Sequence, residues 1–213
     1  MILAVANTKG GVGKSTLAIL LAVEAARRGR QVWLVDGDRQ GTAQAALTAR
    51  GEREPMIPAA CYPDGQTLRR QVQAHHRAHG EGVTIIDVGG RDSSALRAAL
   101  VLSDTVLVPF QPRSFDVWGL DDMAELVDEA RGIADLEAVT LLNGADPQGQ
   151  DNTEAAAVAG EHEAFRHLSI SIGRRKAFAS AAGQGLSVGE LPARQRDPKA
   201  EAELAALYDM III

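Results

Sequence analysis

The apolar run ILAVA at residues 2–6 passes straight into NTKGGVGKST at residues 7–16, and a helical pattern starts behind it. A buried strand, a glycine-rich turn and a helix start in that order leave a chain few ways to fold. Gly10, Gly11 and Gly13 let successive backbone N–H groups gather around one point, and the dipole of the following helix draws an anion to it. The phosphate-loop pattern GxxxxGK[ST] is met at Gly13, Lys14 and Ser15, with Lys14 placed for the β and γ phosphates of a nucleotide and Ser15 for Mg²⁺. The first glycine of that pattern would fall at position 8, which is Thr8, and beside it stands a second lysine, Lys9. The dinucleotide fingerprint GxGxxG is not met.

Behind this opening, short aliphatic runs alternate with longer helical patterns, the mark of a parallel sheet covered by helices. Strands are predicted at residues 2–6, 31–36, 83–87, 105–109, 139–143 and 168–172. Most are nearly continuous apolar runs, as suits strands buried on both faces. Helices are predicted at 15–28, 67–79, 93–102, 115–131, 153–165, 176–182 and 198–210, while 51–66 and 144–152 are the least regular stretches. A chain of 213 residues, 46% of them hydrophobic, supports one substantial core, so a single domain over 1–213 is expected. The expected class is α/β, a three-layer α/β/α sandwich with a mostly parallel sheet.

Two further strand ends are acidic. VWLVDGDRQG places Asp36 at the tip of the second predicted strand with Asp38 two residues on, and TIIDVGGRD ends the third at Asp87, followed by Gly90. Ligands of an open parallel sheet sit beyond the carboxyl ends of its strands, so the three carboxylates are expected to converge on the glycine-rich loop. Asp87 fits the acid that supports Mg²⁺ at the end of a hydrophobic strand. Asp38 fits the residue that orients or deprotonates an attacking water.

The stretches KGGVGKST, DGDRQG, IIDVGG and VPFQPRSFDVWGL together resemble the ParA/MinD family of deviant Walker P-loop ATPases over nearly the whole chain. They are most similar to the small plasmid-partition ParA proteins without an N-terminal DNA-binding domain, whose final helix DPKAEAELAALYDMI also resembles. The resemblance implies a P-loop NTPase that uses ATP and Mg²⁺, and a homodimer that forms when ATP is bound. It makes Lys9 the signature lysine that reaches the nucleotide of the other subunit, where it offsets the phosphate charges brought together there. It makes Gly10, Gly11, Val12, Gly13, Lys14, Ser15 and Thr16 the phosphate cradle, with Lys9, Lys14 and Asp38 in the catalytic set. Ser15, Asp36 and Asp87 become the metal set, and Asn143 the adenine contact. Two departures stand out: the family usually has proline where this chain has Arg39, and a string such as DTPP where it has DVGG.

The resemblance also implies slow, partner-stimulated ATP hydrolysis that segregates or positions a cargo, plasmid or chromosomal DNA first, with a protein or organelle cargo as the alternative. The implied partners are nonspecific DNA and a ParB-like adaptor or centromere-binding protein. The implied location is cytoplasmic and nucleoid-associated. Arg174, Arg175 and Lys176, with Arg194 and Arg196, form the candidate DNA surface; the net charge of −6 argues against DNA binding by the whole surface. A MinD-like membrane switch needs a basic amphipathic tail, whereas AELAALYDMIII carries Glu203 and Asp209 and no cation. An iron–sulfur reductase needs two cysteines per subunit, and Cys61 stands alone; a P-loop ligase of the dethiobiotin synthetase type usually lacks the second lysine. His75, His76 and His79 read as a solvated helix end rather than a metal site, because no cysteine or carboxylate completes a ligand set nearby.

Overall fold

The computed structural model describes residues 1–80, 82–112, 114–146, 149 and 151–212, with 114–118 given as backbone only. The strands are β1 (Ile2–Val5), β2 (Val32–Asp36), β3 (Ala59–Cys61), β4 (Val83–Asp87), β5 (Thr105–Phe110), β6 (Glu137–Ala145) and β7 (Arg166–Gly173). They form one parallel sheet in the order β3-β2-β4-β1-β5-β6-β7. The helices are α1 (Lys14–Arg27), α2 (Thr42–Arg50), α3 (Gly65–His79), α4 (Ser94–Leu102), α5 (Ser114–Arg131), α6 (Asp151–Gly160), α7 (Lys176–Ala182) and α8 (Pro198–Ile211).

Strand alternation sorts the core into two layers, one on each face of the sheet. Leu3, Val5, Leu34, Ile85 and Leu107 face α1, α2, α7 and α8, while Ala4, Val35, Ile86, Val106 and Val108 face α3, α4, α5 and α6. The architecture is the three-layer α/β/α sandwich that the strand pattern predicts, and it is the fold that the resemblance to P-loop NTPases implies. Helix α1 is apolar nearly all round: Leu17, Ile19, Leu20, Leu21 and Val23 are buried, each burial contributing about 1.5–3 kcal/mol. Arg28, at its end, bonds Glu24 at 2.9 Å, pairs with Asp209 and lies over the Tyr208 ring at 4.2 Å, which ties α1 to α8.

Two elements lie outside the predicted set. Helix α2 is short and alanine-rich, and its start signal is not local: Asp36, six residues upstream of Thr42, caps it by accepting the N–H groups of Ala43 and Gln44 at 2.8 and 3.1 Å. Strand β3 has only three residues, AAC, and sits at the sheet edge against Leu34 to Asp36. The helix predicted at 153–165 is found as α6 and is shorter than expected, ending at Gly160 rather than residue 165. The end of α2 is anchored by Arg50, whose side chain is 2% exposed and which grips Glu190 with two N–H groups at 2.8 and 2.9 Å. It also donates to the carbonyls of Gly185 and Glu54. This clamp fixes the helix that follows the Asp38 loop.

Candidate functional site

Sheet register builds the site. Val5, the last residue of β1, is paired with Asp87, and Asp87 is paired with Asp36 on its other side. The chain after β1 therefore turns at a place flanked by both acidic strand ends, where the strand order changes direction. Gly13 opens α1 with φ 94°, and a Cβ on it would lie 2.2 Å from Asn143 Nδ2, so glycine is required there on two counts. The first turn of α1 leaves the N–H groups of Lys14, Ser15 and Thr16 without helical acceptors, and they face the mouth of the loop.

Three side chains, at or beyond the carboxyl ends of β1, β5 and β6, hold this turn in shape. Asn7 accepts from Lys9 N at 2.9 Å and donates to Pro109 O at 2.9 Å. Gln111 donates to Gly11 O at 2.9 Å and Asn143 to Val12 O at 2.6 Å. Asn7 and Gln111 are absent from the sequence-based site set; the usable signal was their place at the carboxyl ends of β1 and β5. Lys14 is buried and donates to Lys9 O at 2.7 Å. Burial lowers its pKa, against the opposing carboxylates of Asp87 and Asp38.

The acids divide into different tasks. Asp36 is fully buried, with one oxygen on Asp38 N at 3.0 Å and the other on the start of α2. Both its oxygens thus serve the backbone of the loop that carries Asp38. Asp38 itself is partly exposed and accepts from Gln40 N at 3.0 Å. Asp87 is 1% exposed, and burial pushes its carboxyl up to about 7 against the opposing pull of the Ser15 hydroxyl and the Lys14 ammonium. Among the described residues, two buried side-chain oxygens have no hydrogen-bond partner: Thr8 Oγ1 and Asp87 Oδ1. Both border the loop, and buried polar atoms of that kind are satisfied by a water, an ion or a ligand. A phosphate and its divalent cation fit this donor and acceptor set.

Lys9 lies within its own chain, its stem across α5: a Cβ on Gly119 would come within 2.4 Å of Lys9 Cε. The motif that includes Gly119 runs through residues 113–118, whose side chains lie outside the described residues.

A family model for the CobQ/CobB/MinD/ParA nucleotide binding domain matches residues 3–188. The chain belongs to this family. Its similarity to the maintenance of carboxysome distribution protein A of Halothiobacillus neapolitanus is 29% identity over 197 residues, 91% of this chain and 89% of that protein. The chromosome-partitioning ATPase Soj of Thermus thermophilus is 31% identical over 154 residues, but the match spans only 61% of this chain and 62% of Soj. In fold the chain is similar to the ATP complex of a Cyanothece McdA variant, with a TM-score of 0.76, 20% identity, and coverage of 100% of this chain and 96% of that one.

Elsewhere in this nucleotide-binding family member, Lys176, Arg194 and Arg196 line one open cavity of about 540 Å³ together with Ser180 and Asp197. Arg174 is exposed on the turn before α7. Arg175 is engaged differently, bonded to Glu203 at 2.6 Å and paired with Asp197 at 3.5 Å. His75 does not stand free at a helix end: its ring packs between Trp33 and His79, at 4.2 and 4.3 Å. Among the described residues no group of three His, Cys, Asp or Glu is arranged to hold a metal ion, and no helix is long and apolar enough to cross a membrane.

The raised pKa of Asp87 sets an expectation for stability. Its unfolded value is the ordinary 3.8 and its folded value about 7, so its contribution is fully present below about pH 4 and is lost as pH rises toward 7. The loss amounts to at most about 4 kcal/mol. Asp87→Asn is therefore expected to melt several degrees higher than wild type at pH 8 in the absence of nucleotide and metal, with the gap narrowing at pH 5. Thermal melts at the two pH values check this; a gap that does not change with pH would remove Asp87 as its source.

Proposed function

We propose that the chain is an ATP-dependent switch, in which two copies pair around bound nucleotide, hydrolyse ATP and use the cycle to position a cargo. The observation that carries this reading is the second lysine. Lys9 stands at the mouth of a loop whose phosphate charge Lys14 already meets, and two such loops facing each other need a further cation between them. Lys9 would leave its place on Gly119 to reach across. The N–H groups of residues 10–16 and the Lys14 ammonium would hold the phosphates, with Thr16 in the same helix turn. Ser15 and Asp87 would hold Mg²⁺, which supplies charge neutralisation at the β and γ phosphates when bound. Asp36 keeps the next loop in place, and Asp38, the partly exposed acid on that loop, would orient the attacking water. Asn143, which supports Val12 through its amide, would be the adenine contact.

The track proposed is nonspecific DNA, held weakly through the cavity residues Lys176, Arg194 and Arg196 with Arg174 beside them. Arg175 would brace this surface through Glu203 and Asp197 rather than touch DNA. The cargo proposed first is plasmid or chromosomal DNA, through a ParB-like adaptor. A second reading, a protein compartment as cargo, is favoured by the fuller match to the carboxysome distribution protein than to Soj. A membrane track finds less support, since Leu204, Leu207, Tyr208 and Ile211 of α8 are buried in the fold.

Sedimentation with ATP, with ADP and without nucleotide, each with and without random-sequence DNA at two salt concentrations, tests the proposal. A dimer is expected with ATP alone, and its DNA binding should weaken steeply with salt. Monomer under all three nucleotide conditions would refute the switch; an ATP dimer that ignores DNA would refute the DNA track.

A further inference from the structure

We propose that Arg91 is a further nucleotide-binding residue, a cation that meets the terminal phosphate of a triphosphate at the loop against which the preceding Gly90 lies. This rests on the reading of residues 7–16 as a nucleotide site. The turn after β4, where the chain reads DVGGR, is wedged into that site. A Cβ on Gly89 would lie 2.8 Å from Asp38 Oδ2, and one on Gly90 would lie 3.0 Å from both Gly10 N and Lys9 O. Only residues without side chains let the turn approach both Asp38 and the glycine-rich loop so closely. Arg91 follows one peptide later, so its Cα is about 3.8 Å from that of Gly90, which is itself in contact with the loop.

Arg91 is exposed and, among the described residues, has no hydrogen-bond or ion-pair partner. Its obvious counter-ion, the adjoining Asp92, is taken: Arg97 binds both oxygens of that carboxylate at 2.8 and 2.9 Å and also pairs with Glu129. Among the described residues a guanidinium is thus left un-neutralised at the edge of a site built for an anion. Its planar fork suits two oxygens of one phosphate. Arg39, also exposed and unpaired among the described residues, follows Asp38, and the glycines on either side of it, Gly37 and Gly41, meet Val88 and Cys61 rather than the glycine-rich loop. It therefore serves as the comparison.

Calorimetric titration of the full chain with a non-hydrolysable ATP analogue and with ADP tests the assignment, using Arg91→Gln, Arg91→Lys, Arg39→Gln and Lys14→Ala. Arg91→Gln is expected to bind the triphosphate about tenfold more weakly and ADP unchanged, the loss expected for one hydrogen-bonded contact with a charged group. Arg91→Lys should recover part of the loss, and Arg39→Gln should match wild type. The exposed position predicts an unchanged melting temperature for all the arginine variants. Unaltered triphosphate affinity in Arg91→Gln, an equal loss for both nucleotides, or an equal loss in Arg39→Gln would each overturn the assignment. A wild-type chain that binds neither nucleotide, or a Lys14→Ala chain that binds both normally, would instead overturn the nucleotide site on which it rests.

Discussion

Lys14→Ala will bind ATP at least about a hundredfold more weakly than wild type, because it removes the one buried cation of the phosphate loop. Each charge-assisted contact is worth about 1.5–3 kcal/mol, and contacts to two phosphates together exceed the 2.8 kcal/mol or so that a hundredfold change requires. The ammonium is already stripped of most of its water and held by Lys9 O at 2.7 Å, so moving it onto a phosphate entails little further desolvation. Its lowered pKa reflects that burial, while Asp87 and Asp38 oppose the shift. Titration calorimetry with a parallel thermal melt separates lost binding from lost folding. Unchanged affinity in a folded variant would remove Lys14 from the site.

Asp38→Ala should lower hydrolysis by about 10²–10⁴, the range for a positioned acid–base group, while ATP affinity stays within a few-fold of wild type. The loop that carries Asp38 is held by its neighbours as well as by Asp38 itself: Asp36 accepts the Asp38 N–H and caps α2, and Arg50 anchors the far end of that helix. Loss of one carboxylate therefore leaves the scaffold standing and removes the group that faces Gly89 across the mouth. Phosphate release gives the rate, and light scattering with ATP gives the assembly state. An ATP-bound dimer that persists without turnover is the expected pair of results; normal turnover would assign the water to another residue.

Much of the site was legible because its signals are local. The strand ILAVA, the glycines that follow and Lys14 with Ser15 lie within fifteen residues, and the two acidic strand ends are marked by the apolar runs before them. Where the signal was not local, the reading was incomplete. Helix α2 starts on the carboxylate of Asp36, and β3 exists only because β2 offers it an edge. Gln111 stands 100 residues from Gly11, whose carbonyl it holds, and no periodicity links them. Arg174 and Arg175 are neighbours in sequence with the same charge, yet Glu203, on α8, takes up only the second.

The sequence by itself determined the strand–loop–helix opening, the parallel α/β sandwich and the cast of charged residues at the strand ends, since each follows from short-range pattern and residue chemistry. The tertiary structure alone decided how those residues divide their work. Pairing of β4 between β1 and β2 set Asp87 and Asp36 side by side; the acid facing Ser15 was left with an unpartnered oxygen, while the acid facing the next loop was spent on backbone N–H groups. It also laid Gly90 on the phosphate loop, turning a departure from the family's usual string into a close contact that brings Arg91 to the mouth. The reason is physical: hydrogen bonding and burial depend on what the sheet places next to each carboxylate, and that register joins residues about 30 to 100 positions apart.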